Sequence, residues 1–464
     1  MTASAASPEN FPALVLNADF RPLSYYPLSL WSWQDTVKAV FLDRVNISLA
    51  VPYMMDELKL TGVETGIVLS AYYWGYIAGQ LGGGFASDHW TIRRWATVMF
   101  FSWCILTALT GACRSLLQLA IVRGLFGISE GAVANPIHKL ENHWLLPNER
   151  GWAYGMGMGF GYLGLILGTP LVAWLIESWG WRVMFYATGA LTLLGVIYFW
   201  LLVYDHPQDH PWISEAEKTL IADALAKDRV TFDPQQGAAR PLTFGEGVRV
   251  LTKNPAFWAL CLAGFCSLGV FFTNLSWLPG YLVKERHYAV VNSGFYLILP
   301  YASAFAGALV AGSLGDRLGN RTAVALCTGL LTGPAILGLL WSQEVSMVIM
   351  FMSLILFLNA AATNSLIVVL FDLFPAEVLG ITIALFAGVC GGAGGIVGPV
   401  VLGHFYDQTG SFFWGFCSLA GGAAVGALVL IPIVAYERRV KRQKAENAAL
   451  AQSFENQPTV SASR

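Results

Sequence analysis

The chain has 464 residues, of which 56% are hydrophobic and only 12% charged, and its mean hydropathy is +0.57. Soluble domains carry roughly 25% charged residues, so water is excluded as the solvent for most of this surface and a lipid bilayer is implied. A net charge of −2 gives no general attraction to nucleic acid, and the seven cysteines form no C-x-x-C pair or His/Cys cluster that would indicate a zinc site or disulfide framework.

Residues 1–24 lack the basic start and apolar core of a signal peptide, so no cleavage is expected, and 1–27 form an atypical amino-terminal segment. A first membrane helix is expected at about 28–53, but under strain. Gln34, Asp35 and Lys38 interrupt its apolar run, and a charge at a helix centre costs about 2.5–3.5 kcal/mol. Asp35 and Lys38 stand at i,i+3 and can pair, which lowers that cost without abolishing it. Crossing a roughly 30 Å hydrocarbon core takes about 20 apolar residues. Runs of that kind follow near 65–86, 95–113, 115–137, 153–177 and 181–204, then 255–283, 293–315, 322–341, 346–371, 379–403 and 411–436. The polar stretch 205–254 reads as a linker and 437–464 as a tail. An all-α membrane protein is therefore predicted, with an amino-terminal bundle over 28–204 and a carboxyl-terminal bundle over 255–436, six helices each.

Basic residues set the orientation. On a twelve-span count one side receives eighteen Lys and Arg, among them Arg93, Arg94, Lys139, Arg150, Arg317 and Arg321, together with the linker and tail. The other side receives Lys59, Arg114, Arg182, Lys284 and Arg286, so both termini are expected in the cytoplasm.

Four ionisable residues, Asp43, Arg44, Arg123 and Glu130, lie within or beside membrane-depth segments, where they need one another or a wet cavity. Arg123 and Glu130 are seven residues apart, which places them on one helix face about 10 Å apart along the axis. Tyr72, Tyr73 and Tyr76 with Trp277 are candidates for a cavity wall, with simple helix packing the plainer expectation for Tyr72 and Tyr73. Gly159-Phe-Gly161-Tyr-Leu-Gly164 has the form G-x-G-x-x-G but sits in an apolar helix, and it is read with Gly164/Gly168 and Gly388/Gly392 as close helix packing. No nucleotide site, metal site or cofactor follows.

Gly312-Ser-Leu-Gly-Asp316-Arg317-Leu-Gly319-Asn320-Arg321 resembles the G-x-x-x-D-R-x-G-R-R loop of the major facilitator superfamily. At the matching point of the first half stands Gly84-Phe-Ala-Ser-Asp88, followed by Arg93 and Arg94, with His89 for the Arg and Thr91 for the Gly. The physical logic is a tight glycine turn plus an Asp that caps a helix and pairs with an Arg across the bundle, holding one closed state. Such paired copies are the mark of a transporter built from related halves.

A narrower resemblance, to the anion:cation symporter family that includes sugar-acid carriers, covers about 41–440. It rests on Asp43-Arg44-Val-Asn46, Arg123-Gly-Leu-Phe-Gly-Ile-Ser-Glu130-Gly, Pro147-Asn-Glu149-Arg150-Gly151, Trp181-Arg182, His210-Pro-Trp212-Ile-Ser-Glu215 and Trp277-Leu-Pro279-Gly-Tyr281. The resemblance implies that Arg44 meets a substrate carboxylate, that Asp43 and Glu130 carry protons, that Arg123 tunes Glu130 and that Tyr76 binds substrate. Sugar-acid carriers of that family often have Asn near the positions of Gly388 and Gly392. The departure favours a less hydroxylated acid, or another polar wall such as Asn359, Thr363 and Asn364.

Residues 11–47 look like the leader of bacterial HNH endonucleases and meet the transporter resemblance at 41–47, as in a fusion at a shared string. The nuclease chemistry has no counterpart, since the seven histidines are scattered and no metal-finger cysteines accompany them. The expectation is a proton-coupled symporter of a small organic anion, not an enzyme. It is expected to be a monomer in the bacterial inner membrane, with anion, proton and lipid as its partners. A transport-impaired remnant with a replaced first helix, and a nuclease-related protein, are the alternatives.

Overall fold

In the computed structural model the described residues are 44–145, 150–211, 213, 215, 218–219, 221–223, 225, 244–374 and 376–455. Among them the chain is helical throughout, with no strand. The first half contains α1 (44–58), α2 (Gly62–His89), α3 (Ile92–Ala112), α4 (Leu116–Trp144) and α5 (Arg150–Leu202). The second contains α6 (Phe244–Thr252), α7 (Pro255–Lys284), α8 (Val290–Tyr296), α9 (Ile298–Leu318), α10 (Arg321–Trp341), α11 (Val345–Leu373) and α12 (Ala376–Ile383). A π-helical stretch, Ala384–Gly391, then leads into α13 (Gly392–Thr409), α14 (Phe413–Leu428) and α15 (Ile431–Glu455).

Each of the eleven runs predicted after the first overlaps helices of this set, with 293–315 divided between α8 and α9, 379–403 running from α12 through the π-helical stretch into α13, and 411–436 divided between α14 and α15. Among the described residues nine stretches are long and apolar enough to cross a membrane, one of them Gly161–Leu202. That stretch is two spans in one rod. Gly180 at φ 81° and ψ 163° breaks it into two arms, a conformation that a side chain would strain. Counting the arms separately and adding α1 and α2 gives the twelve predicted segments. The outer surface is apolar, with Leu117 and Leu167 69% exposed and Trp341 71%, as lipid contact demands. The strained residues Gln34, Asp35 and Lys38 lie outside the described residues, but the part of α1 that follows is built into the core. Val45, Leu49 and Ala50 are fully buried, and the Asn46 amide donates to the Thr188 hydroxyl at 2.9 Å, tying α1 to the second arm of α5.

Two seams of small residues decide how the helices meet. Along the first, α2 and α4 run in the same direction with their backbones in contact. A Cβ on Gly75 would stand 1.9 Å from the Gly124 carbonyl oxygen, one on Gly79 2.2 Å from that of Ile128, and one on Gly127 2.0 Å from that of Tyr72. Nothing drives apolar helices together in lipid except packing and polar contacts, so small residues that allow backbone approach set the pairing. Along the second seam α2 runs antiparallel to α13 of the other half, with Gly62 against Gly403, Gly66 against Pro399, Tyr73 against Gly395, Ile77 against Gly392 and Gln80 against Gly388. Helix α2 is therefore the spine that joins both halves.

The seam predicts a contrast. Gly127→Ala must push two backbones apart, and overpacking of this kind costs about 1–3 kcal/mol. Gly195 faces open space. Thermal unfolding in detergent is expected to show a clear fall in midpoint for Gly127→Ala and almost none for Gly195→Ala; equal midpoints would refute the seam.

Candidate functional site

The first seam places the polar residues of α2 and α4 around one point. Helix α4 starts cleanly, because the Ser115 side chain accepts from the Gln118 amide, and its interior face carries Arg123, Phe126, Ser129 and Glu130. Helix α1 brings Arg44 to the same place. The Arg44 Nε donates to Glu130 Oε1 at 3.0 Å and its Nη2 donates to the same oxygen. The contact is buried, with the Arg44 side chain 16% exposed and that of Glu130 5%. Glu130 Oε2 has no hydrogen-bond partner among the described residues, and neither has the Tyr72 hydroxyl.

Aromatic rings wall the pair. The Arg44 guanidinium carbon lies 5.8 Å from the Tyr72 ring centre and 5.9 Å from that of Tyr76. The Tyr76 hydroxyl is within hydrogen-bonding reach of Arg44 and Gln80. Arg123 stands over Phe126 at 4.5 Å and Tyr72 at 5.5 Å, so its charge is spread across ring faces. Tyr73 turns to the other half, 4.7 Å from Phe272 of α7. The Tyr72 ring contacts those of Tyr73, Tyr76 and Phe126, so the aromatic groups beside the charged pair form one cluster.

Other predicted residues sit elsewhere. Asp43 lies outside the described residues. Trp277 is fully buried in the second half, its indole nitrogen donating to the Pro399 carbonyl at 3.2 Å and its ring 5.5 Å from Phe412. The Asn359 amide donates to the Ser267 carbonyl at 3.1 Å, and the residue borders a cavity of about 20 Å³ with Ser267 and Thr332, room for about one water. Asn364 donates to the Ala360 carbonyl of its own helix, and Thr363 shares a 2.9 Å hydrogen bond with Ser267. These groups line the interior of the second half.

In the glycine-rich loop of the second half, Gly319 ends α9 at φ 62°, the left-handed turn that glycine permits, and Gly312 faces open space. The helix cap is Asn320, which accepts from the Ala323 amide at 2.8 Å, while Asp316 instead ion-pairs with Arg321 and Arg317 stays exposed. Arg321 reaches Asp372 at 2.7 Å, and Lys441 of α15 joins Asp372 at 2.9 Å and Glu437 at 2.6 Å. Glu437 is fully buried and accepts from the Arg321 and Thr322 amides, closing the start of α10. Sequence reasoning missed these acidic partners; the i,i+4 spacing of Glu437 and Lys441 was the available signal. In the first-half copy, Gly84 and Asp88 lie on the last turns of α2.

At the face predicted to be external the halves are tied together. Asp407 of α13 accepts from the Gly62 amide and, at 2.8 Å, from the Val63 amide, so a carboxylate of one half caps a helix of the other. Lys284 of α7 ion-pairs with Asp56 beyond α1's buried turns. Nearby, Glu57 holds Trp181 and Arg182 at 2.7 and 2.9 Å, and the hydrogen bond from the Trp181 indole keeps its carboxyl below the usual range. A carboxylate on a helix N-terminus contributes about 0.3–2 kcal/mol, enough to move a balanced two-state equilibrium severalfold. With spin labels at Lys59→Cys and Gln408→Cys, Asp407→Ala is expected to add a population several ångströms longer to the distance distribution. An unchanged distribution would show that Asp407 does not hold this face shut.

Comparison with known proteins agrees with this architecture. The model of the Major Facilitator Superfamily matches residues 39–312 and 294–462. A D-galactonate transporter of Escherichia coli is 28% identical over 414 residues, covering 87% of this chain and 94% of its own. A probable sulfoacetate transporter of Cupriavidus necator is 28% identical over 413 residues, covering 85% and 91%, and a probable galactarate/D-glucarate transporter of Bacillus subtilis is 27% identical over 420 residues, covering 88% and 91%. Among solved structures, an inward-facing bacterial homolog of the human lysosomal transporter Spinster shares the fold with a TM-score of 0.69 at 15% identity, covering 89% of this chain and 96% of its own. Residues 13–55 match the HNH endonuclease-associated N-terminal domain, so the two family models share 39–55, the segment that contains Arg44.

Proposed function

We propose that this chain, which belongs to the Major Facilitator Superfamily and is a transporter rather than an enzyme, couples the movement of a small organic anion to that of a proton by alternating access. The Arg44–Glu130 pair carries the proposal. A guanidinium offers a planar fork that matches the geometry of a carboxylate. While Glu130 is ionised it occupies that fork. When Glu130 takes a proton, its hold on Arg44 weakens and the guanidinium can turn to an incoming carboxylate or sulfonate, so proton and anion enter together. The orphan Glu130 Oε2 and the Tyr72 hydroxyl are the polar atoms beside that exchange. Relatives named for galactonate, galactarate/glucarate and sulfoacetate support a small organic anion as the cargo.

Within this proposal Arg44 and Tyr76 contact the anion, Asp43 and Glu130 carry protons and Arg123 adjusts Glu130. Trp277, Asn359 and Asn364 are the substrate-binding residues of the second half. Gly84 and Asp88, with Gly312, Asp316, Arg317, Gly319 and Arg321, form the conformational loops. The bundles run over 28–204 and 255–436, with the 205–254 linker and both termini on the cytoplasmic side of the bacterial inner membrane and a monomer as the working unit.

The test is uptake of D-galactonate and of sulfoacetate by proteoliposomes under an imposed pH gradient. Glu130→Gln is expected to abolish concentrative uptake while counterflow exchange persists; undiminished accumulation would remove Glu130 from coupling. Arg44→Lys replaces a fork by a point charge and is expected to weaken substrate affinity by tenfold or more, a loss of about 1.4 kcal/mol or greater. Wild-type affinity in that variant would show that Arg44 does not meet the anion.

A further inference from the structure

On the outer surface of the first half, away from the charged pair, a groove of about 900 Å³ runs between α3 and the second arm of α5. We propose that it is a binding site for an anionic phospholipid, with the phosphate on Arg94 and one acyl chain along the apolar wall. The wall is formed by Val98, Phe101, Val196, Ile197 and Leu201, of which Phe101, Ile197 and Leu201 are 49%, 50% and 59% exposed and so not covered by protein. Its depth fits the occupant. From Ile92, where α3 begins, to Phe101 is nine residue steps, about 14 Å of helix, close to one leaflet of a roughly 30 Å core.

Charge is confined to one end. His89 and Arg94 stand there beside Trp90 and Trp200, and among the described residues no acidic side chain lines the groove. The nearby Asp205 is engaged, since its carboxylate accepts from the Arg93 amide at 2.7 Å. Arg93 itself is turned away, donating to the Trp200 carbonyl and lying 4.3 Å from the Tyr204 ring and 4.5 Å from that of Trp200. Arg94 is thus the exposed cation at the groove's mouth. A basic head over an apolar trough one leaflet deep, rimmed by indoles that favour the headgroup level, matches a lipid with an anionic head. A soluble anion would have no use for the trough.

Native mass spectrometry of the purified full chain, with dioleoyl phosphatidylglycerol or phosphatidylcholine added, tests the site. The wild-type chain is expected to retain phosphatidylglycerol about fivefold better, the scale of one basic side chain at an anionic surface. Arg94→Gln should bring retention down to the phosphatidylcholine level, and Arg94→Lys should keep it. Ile197→Trp, which fills the trough, should lower retention of the anionic lipid although Arg94 is intact. All variants are compared as monodisperse protein by size exclusion. Equal retention of the two lipids by the wild type, or no loss in Arg94→Gln, overturns the proposal. Displacement of the bound lipid by millimolar glycerol 3-phosphate would mark a simple anion site and overturns it as well, as does full retention in Ile197→Trp.

Discussion

A guanidinium and a carboxylate at membrane depth need each other or a wet cavity to remain charged, and the interior of the first half brings two such groups together. Arg44 and Glu130 meet in a contact that water barely reaches. Removing two ions from water costs several kcal/mol each, and their mutual attraction offsets this only with good geometry and further hydrogen bonds. The Arg44 side of the pair has its second donor and the rings of Tyr72 and Tyr76. The Glu130 side keeps one oxygen unsatisfied. The pair is thus held more fully on its guanidinium side than on its carboxylate side.

The pair exists because backbones can touch. Arg44 and Glu130 are separated by 86 residues and sit on helices that α2 brings into place. With side chains larger than hydrogen at Gly75, Gly79 and Gly127, α2 could not lie on α4 and the tyrosine cluster would stand away from the guanidinium. The second seam uses the same device across the two halves. There Gly388, in the π-helical stretch, and Gly392, at the start of α13, leave room for Gln80 and Ile77. The π-helical geometry often marks functional sites. Asp407 on the first turn of α2 completes the contact at one face. Helix α2 thus packs on both halves and carries the tyrosines beside Arg44.

The join at the amino terminus falls on the helix that carries Arg44. Two family models claim 39–55, yet from Val45 onward the packing is that of an integral first helix, with Asn46 tied to Thr188 and Leu49 fully buried. The shared string therefore retains the residues that the bundle needs. The residues expected to oppose insertion, Gln34, Asp35 and Lys38, lie upstream of that string and outside the described residues.

Hydropathy alone determined the solvent, the eleven later spans and the helical class, because the cost of burying unpaired backbone in lipid leaves few other solutions. It also singled out Arg44, Arg123 and Glu130, since charges at that depth are conspicuous against an apolar run. The glycine loop ending at Gly319 was equally plain, because only glycine takes that turn without strain. Partnership was not legible. Local spacing put Arg123 nearest to Glu130 on α4, whereas the partner supplied by the fold is Arg44 from α1, with Arg123 resting on Phe126 and Tyr72. Spacing could not place Trp277 and Asn359 inside the second half, nor find Asp407, Asp372 and Glu437 as caps and counter-ions. Periodicity reports which face of a helix is apolar; which helix lies against that face is decided by where small residues let two backbones approach, and only the tertiary structure records that.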